Sequence, residues 1–314
     1  MKHDSPIAPA TLAAIHAALL AWFAQAGRDL PWRHTRDPYQ IMVAEIMLQQ
    51  TQVDRVIPKY HAFLAAFPTL ADLAAAPTAE VIRMWAGLGY NRRAVNMQRT
   101  ARVVLAEHGG QFPRDLAGLL GLPGIGRYTA GAIACFAFEQ DVGFVDTNIR
   151  RVLQRLLVGP EEHGAARAAE LLALAEAIVP AGRGWHWNQA IMELGALICS
   201  AAAPACWRCP LNEWCRAYAE RRAADAQAFD IAPPARAQGR APRNPLRRIE
   251  PLYRGRVVAE LRGLPAGQVL PLRVLGGVLK PGFAEDNMDW LLALVAGLAR
   301  DGLLAIEGEA VRLP

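Results

Sequence analysis

From Ser5 to about Arg222 the chain is one succession of helical patterns, and no run of strict polar–apolar alternation interrupts it. The breaks are Arg36-Asp37-Pro38, Phe67-Pro68-Thr69, Gly87-Leu88-Gly89, Gly109-Gly110 and Leu122-Pro123-Gly124. Such Pro and Gly clusters end helices, and here they mostly fall roughly 15 to 30 residues apart. No internal repeat of fixed period accompanies them. This part of the chain can therefore fold only as an all-α assembly. With 314 residues in total, more than one domain is expected.

Composition shifts after that. Residues 223–251 are rich in Ala, Pro and Arg and read as a basic linker. Over 236–256, Arg236, Arg240, Arg243, Arg247, Arg248, Arg254 and Arg256 face Glu250 alone, more charge than the net +5 of the whole chain. Such a run is either a solvated surface or a flexible arm for phosphate. Residues 252–314 regain periodicity, with short helices expected over Tyr253–Leu261 and Leu270–Leu279 and a longer one over Met288–Arg300. Leu303–Ile306 and Ala310–Leu313, parted by Gly308, suggest a hairpin. Three helices followed by a hairpin are similar to a winged helix, an analogy of fold alone.

The uncharged stretch Ser5–Gly27 raises a membrane question. It is mostly alanine and holds Pro6, Pro9, His16 and Gln25, so the drive for insertion is weak. Leu12, Ile15, Leu19, Trp22 and Phe23 recur at helical spacing, as in an amphipathic packing helix. Met1–Asp4 mixes both charge signs, unlike a signal peptide. A soluble cytoplasmic protein without a membrane partner is expected. The mildly basic balance, with a pI near 9.1, leans toward a polyanionic partner.

Cys199, Cys206, Cys209 and Cys215 form C-x6-C-x2-C-x5-C, a thiolate set suited to a metal or a cluster. Structural zinc is one reading, although zinc ribbons usually offer two CxxC pairs and only one is present. The uneven spacing resembles the [4Fe–4S] loop of the endonuclease III family of DNA glycosylases. Cys135, alone in an apolar run, reads as a small core residue.

Leu122-Pro123-Gly124-Ile125-Gly126 precedes an apolar helix. Glycine permits the tight turn and close approach of backbone N–H groups to an anion, and the helix N-terminus adds a favourable dipole. A plain helix–helix turn is the simpler reading. The motif resembles the helix-hairpin-helix of the same superfamily, in which Gly124 and Gly126 would contact the DNA backbone.

Two acids stand out. Glu45 lies within Ile41-Met42-Val43-Ala44-Glu45-Ile46-Met47-Leu48, where a buried carboxylate must be paired, protonated or functional. Its alternative is the polar edge of the helix. Desolvation there would raise its pKa, as suits a general acid. Asp146 precedes a helix and reads first as an N-cap, a role compatible with facing a substrate.

Leu30-Pro31-Trp32-Arg33, Arg36-Asp37-Pro38-Tyr39, Glu45 through Gln52, Gly87-Leu88-Gly89-Tyr90 and Asp146-Thr147-Asn148 resemble the MutY-type adenine DNA glycosylases, from about Leu30 to Cys215. The resemblance implies a mainly α fold of two lobes with mismatched or damaged duplex DNA across their cleft. Residues 29–142 would form a six-helix barrel with the hairpin. Residues 1–28 and 143–222 would form the iron–sulfur domain, and 252–314 a small winged-helix-like domain. A monomer associated with the nucleoid is expected.

Residue by residue, the resemblance makes Glu45 the acid that protonates adenine at N7 and Asp146 the group that stabilises the oxocarbenium-like sugar. Asn148 and Tyr128 would orient them. Gln49 would fill the gap left by the extruded base, Tyr90 would wedge beside the opposite base, and Arg33 and Gln189 would line the adenine pocket. Cys199, Cys206, Cys209 and Cys215 would hold the [4Fe–4S] cluster. Tyr128 stands where bifunctional relatives carry a Schiff-base lysine, so a monofunctional glycosylase that leaves an abasic site is expected.

The pattern departs from the family at Asn91, usually a second tyrosine, at Thr147, often glycine, and in lacking room for a NUDIX-like domain. Thymine/uracil mismatch glycosylases of the Mig type are also similar and also lack that domain. Gln49-Gln50-Thr51 and the amide of Gln189 favour adenine. A non-catalytic iron–sulfur DNA-binding protein is the remaining reading, and the presence of both Glu45 and Asp146 speaks against it.

Overall fold

The computed structural model describes residues 7–161, 164–227 and 246–314. Its helices are α1 (Pro9–Ala26), α2 (Pro38–Leu48), α3 (Val53–Ala66), α4 (Leu70–Ala75), α5 (Thr78–Met84), α6 (Arg92–Glu107), α7 (Leu116–Gly121) and α8 (Arg127–Phe136). They continue with α9 (Thr147–Leu153), α10 (Ala168–Ala177), α11 (Gly184–Leu197), α12 (Arg216–Gln227), α13 (Leu246–Gly263), α14 (Leu272–Leu279) and α15 (Met288–Arg300). Three short strands, β1 (Leu270–Pro271), β2 (Ala305–Glu307) and β3 (Ala310–Arg312), complete the description. The chain divides into two compact units.

One unit comprises Met1–Ile41, Arg114–Leu120 and Gly126–Arg236. Here α1 packs on α11 through Ile15 and Leu19, and the His16 ring meets Trp187 edge-on at 4.9 Å. Trp22 and Phe23, expected on the packing face, stay half-buried, so the buried stripe is narrower than the periodicity suggested. By length and composition α1 is the one described helix apolar enough to cross a membrane. Phe144 packs against Gly131 of α8, where a Cβ would stand 2.7 Å from the Phe144 Cβ.

The other unit comprises Met42–Pro113, Gly121–Ile125 and Ala237–Pro314. Its C-terminal part sets α13, α14 and α15 against an antiparallel sheet of order β1-β3-β2, with Ile306 opposite Val311 and Leu270 opposite Val311 on the other side. The helix expected at Met288–Arg300 and the hairpin about Gly308 (φ +59°) are both present. Two expectations change. Leu270-Pro271 pairs as a strand because Pro271 takes extended backbone (ψ 138°), and α14 starts only at Leu272. The linker assigned to 223–251 is helical to Gln227 and again from Leu246, while 228–245 lies outside the described residues.

The arginine run is corrected in part as well. Arg254 is ion-paired with Asp301, and Arg256 donates to the Leu279 carbonyl at 3.0 Å and the Val278 carbonyl at 2.7 Å. Both sit on α13, whose Val257, Val258 and Leu261 share a buried cluster with α14 and α15, so these two guanidinium groups serve the fold. Arg236, Arg240 and Arg243 lie outside the described residues.

Candidate active site

Glu45 is 2% exposed, on α2 among the fully buried Met42, Val43, Ala44 and Met47. The polar-edge alternative is thereby excluded. Desolvating a carboxylate costs free energy that an amphipathic helix avoids by placing acids outward. After Leu48 the chain leaves the helix through Gln49, half-buried, and Gln50, whose φ of +57° lies in the left-handed region.

Arg93 holds that exit in place. Its Nη1 donates to the carbonyls of Ile46 (2.6 Å) and Gln49 (2.7 Å), and its Nη2 to those of Leu88 (3.0 Å) and Gly89 (3.1 Å). The last turn of α2 and the Gly87–Tyr90 loop are thus tied to one guanidinium, which lies 5.3 Å from the Trp85 ring and 5.7 Å from the Tyr90 ring. Burial lowers the Arg93 pKa below the ordinary value, partly offset by Tyr90. Its Nε is buried without a partner. Tyr90 is 65% exposed at φ +46°. Left-handed backbone costs a non-glycine residue about 1–3 kcal/mol and persists only where its surroundings enforce it. At Gln50 and Tyr90 the five carbonyls held by Arg93, that of Met47 at 3.4 Å included, do so.

The hairpin joins α7 to α8. Gly124 has φ +77°, and a Cβ there would meet the Asn96 Cβ at 2.7 Å, so both backbone and space require glycine. Thr100 Oγ1 donates to the Pro123 carbonyl at 2.6 Å and fixes the turn. Gly126 caps α8 at an ordinary φ of −86° with open space around it, and the first turn of α8 has no acidic residue. The helix dipole there favours an anion, although the Glu176 carboxylate already pairs with Arg127 at 3.0 Å. Tyr128, half-buried, sets its ring edge-on to Phe144 at 5.6 Å.

Asp146 is the N-cap of α9. Its Oδ1 accepts from the Ile149 N–H at 2.6 Å, and its Oδ2 accepts from Asn148 Nδ2 at 3.2 Å. Burial raises its pKa above the ordinary carboxylate value, although these hydrogen bonds and the Arg151 charge act in the opposite sense. Cap and oriented carboxylate therefore coincide. Arg151 extends the arrangement: it donates to Asn148 Oδ1 (2.8 Å), the Gly195 carbonyl (2.6 Å) and the Cys199 carbonyl (2.6 Å).

Arg33 and Gln189, far apart in sequence, meet directly. Arg33 Nε donates to Gln189 Oε1 at 2.8 Å, leaving the amide nitrogen of Gln189 as the group free of that bond. Arg33 Nη2 donates to Glu193 Oε2 at 2.9 Å, and Arg28 donates to the same carboxylate from its backbone N, Nε and Nη2 at 2.8–2.9 Å. Burial alone would raise the Glu193 carboxyl, but hydrogen bonds from Arg28 and Arg33 and the Arg33 charge outweigh it and hold the pKa below the usual range. Glu193 and Arg28 escaped the sequence reading. An acid in the apolar α11, one turn beyond Gln189, carries the same signal that marked Glu45. Arg93 and Arg151 give no local signal, because their partners are backbone carbonyls remote in sequence.

The four cysteines line one pocket with Arg155, Ile198 and Tyr218, and none forms a disulfide. Burial, with the neighbouring Cys215, Cys199 and Cys206, pushes the Cys209 thiol up to about 12 against a backbone hydrogen bond from Leu211. Burial likewise raises the Cys215 thiol, and a bound cation is what would hold such thiols as thiolates. Among the described residues no three His, Cys, Asp or Glu are grouped to hold a single metal ion. Iron–sulfur clusters are held by four Cys thiolates. The donor set fits such a cluster.

The sequence profile of the HhH-GPD superfamily base excision DNA repair proteins matches residues 43–176. Adenine DNA glycosylase of Mycolicibacterium smegmatis (strain ATCC 700084 / mc(2)155) is 46% identical over 203 residues, which are 63% of this chain and 67% of that protein. The chain belongs to the HhH-GPD superfamily. Adenine DNA glycosylase of Homo sapiens is 44% identical over 218 residues, 66% of this chain and 40% of that protein. A solved thermostable thymine-DNA glycosylase aligns with a TM-score of 0.63 at 33% identity, over 67% of this chain and 98% of that one. This HhH-GPD chain spans about two fifths of the length of its mammalian relatives. The profile takes in Glu45, Gln49, Tyr90, Gly124, Gly126, Tyr128, Asp146 and Asn148, while Arg33, Gln189, Cys199, Cys206, Cys209 and Cys215 lie outside it.

Proposed function

We propose that this chain is a monofunctional DNA glycosylase that hydrolyses the N-glycosidic bond of adenine mispaired with 8-oxoguanine or guanine and leaves an abasic site. The observation that carries the reading is the burial of Glu45 on α2, in a chain 43–46% identical to adenine DNA glycosylases of mycobacteria. A carboxylic acid shielded from water can deliver its proton to N7 of an everted adenine, turning the base into a leaving group. Asp146, fixed by Ile149 and Asn148, stabilises the positive charge that grows on the sugar. Water completes the displacement.

Gln189, oriented by Arg33, offers its amide N–H to an acceptor on the adenine edge. Gln49 occupies the vacated stack and Tyr90 wedges beside the opposite base. The turn at Gly124 and Gly126 presents backbone N–H groups to a phosphate. Tyr128 cannot form the imine that strand cleavage by a lysine requires, so the abasic product stays intact. Cys199, Cys206, Cys209 and Cys215 would hold a [4Fe–4S] cluster, whose contribution is to order the loop that follows α11 and its DNA-facing surface. The protein acts as a monomer on duplex DNA of the cytoplasmic nucleoid.

A second reading, removal of thymine or uracil opposite guanine, is favoured by the thymine-DNA glycosylase that this chain matches over 98% of its length. Single-turnover assays on duplexes with A·8-oxoguanine, A·G, T·G and U·G decide between them. Release of adenine alone, with the strand unbroken until alkali is added, is the expected result. Release of pyrimidine alone would replace the first reading by the second.

A further inference from the structure

The loop that presents Tyr90 is held from two sides. From within its own domain, Arg55 donates to the Gly87 carbonyl at 2.7 Å, Trp85 Nε1 to the Gly89 carbonyl at 3.0 Å, and Arg93 to the Leu88 and Gly89 carbonyls. The residue after Tyr90 is treated differently. Asn91 is the N-cap of α6, where an asparagine side chain ordinarily accepts from an N–H in the first turn, yet it makes no such bond. Its Oδ1 instead accepts from Arg262 Nη2 at 2.5 Å. Arg262 belongs to α13 in the C-terminal part of the chain, and its Nε also donates to the Ile82 carbonyl at 3.0 Å.

This contact is one of several from the same source. Arg92, the next residue, pairs at 3.3 Å with Asp301, which Arg254 holds from α13. Arg83 donates to the Leu264 carbonyl at 3.3 Å. Ile82 and Val95 share one buried cluster with Val257, Val258, Leu261 and Val295. The apolar seam fixes α13 against α5 and α6, and Arg262 projects from that fixed helix onto the loop.

We propose that Arg262 is a positioning residue for the wedge: by holding Asn91 it fixes the left-handed backbone from which Tyr90 projects, and so gives the C-terminal domain a part in base extrusion. The proposal rests on the reading of Tyr90 as the wedge. It also gives a role to Asn91, the position at which this chain departs from the usual second tyrosine: a short amide accepts a guanidinium where a phenol ring would fill the space.

The test uses the full chain with its tyrosines replaced by 3-fluorotyrosine, the Tyr90 resonance being assigned with Tyr90→Phe. In the free protein, Arg262→Ala and Asn91→Ala should each broaden or split the Tyr90 fluorine line and leave that of Tyr128 unchanged. Each should slow single-turnover adenine release from an A·8-oxoguanine duplex about tenfold, short of the roughly 10²-fold that a full 1 Å misplacement can cost. The double variant should be no slower than either single one, since both remove the same contact. An unchanged Tyr90 line in both variants, or losses that multiply in the double variant, overturns the proposal. If the line responds but Tyr90→Ala excises adenine at the full rate, the wedge reading fails, and the extrusion role with it. If Tyr90→Ala is slow and the line does not respond, the wedge stands and the brace falls. Should Arg262→Ala fail to fold, Asn91→Ala puts the same question from the exposed side of the contact.

Discussion

Replacing Glu193 by glutamine tests the polar network beneath the candidate base pocket. The carboxylate is 1% exposed and accepts four hydrogen bonds, three from Arg28 and one from Arg33. Glutamine removes the charge and turns one acceptor into a donor facing donors. The Arg28 side chain is 35% exposed, so water screens most of its loss. Arg33 is 9% exposed and keeps a buried charge with its counterion gone. Breaking a buried pair from one side costs about 3–5 kcal/mol, and the exposure of Arg28 puts the expectation at the lower end, about 3 kcal/mol. That is a large share of the 5–15 kcal/mol of a typical domain. Chemical denaturation read by tryptophan fluorescence should show the midpoint displaced accordingly.

The pH dependence supplies a second readout. The folded pKa of Glu193 lies below its unfolded value, so its stabilisation is present above the unfolded carboxylate pKa of about 4.3 and is lost as pH falls through the folded pKa. The gap between the native protein and Glu193→Gln should therefore be widest near neutrality and narrow in acid. A variant within about 0.5 kcal/mol of the native protein at pH 7 would show that Glu193 does not hold Arg33 and Arg28 in a buried ion pair, since that is the scale of an ordinary surface change.

Asp146 predicts the opposite sign. Its folded pKa is raised, so the folded state binds the extra proton and stability falls as pH rises from the unfolded toward the folded pKa. Asp146→Asn keeps the cap to the Ile149 N–H and gives up only the longer 3.2 Å contact from Asn148, so it should raise the thermal midpoint modestly at pH 7, with the gain vanishing below the ordinary carboxylate pKa, while base release falls about 10²–10³-fold in single-turnover assays. Gly124→Ala, forced to φ +77° and against Asn96, should lower stability by about 1–3 kcal/mol in thermal or denaturant unfolding. It should also weaken duplex binding in a fluorescence-anisotropy titration.

Much of this architecture could be read from local patterns. The helix at Met288–Arg300 and the hairpin about Gly308 follow from apolar spacing and one turn glycine. Glu45 announced itself as one acid in an apolar run, and Asp146 as a cap, because both signals lie within a few residues. What stayed hidden is long-range. Arg93 and Arg151 spend their donors on carbonyls, which any residue can supply, so no side-chain pattern marks the partner. Arg254 and Arg256 looked like part of a loose basic run because charge alone does not tell which arginines a helix turns inward. The pairing of Arg262 with Asn91 spans 171 positions and joins two segments that local reading treats separately.

In the proposed reaction the buried carboxylic acid Glu45 on α2 delivers the proton that frees an adenine. That proton transfer is tested by single-turnover release of radiolabelled adenine from an A·8-oxoguanine duplex by the native chain and by Glu45→Gln, with duplex affinity measured in parallel. The native chain should release adenine, Glu45→Gln none above background, and both should bind the duplex equally well. Undiminished release by Glu45→Gln would contradict that role for Glu45.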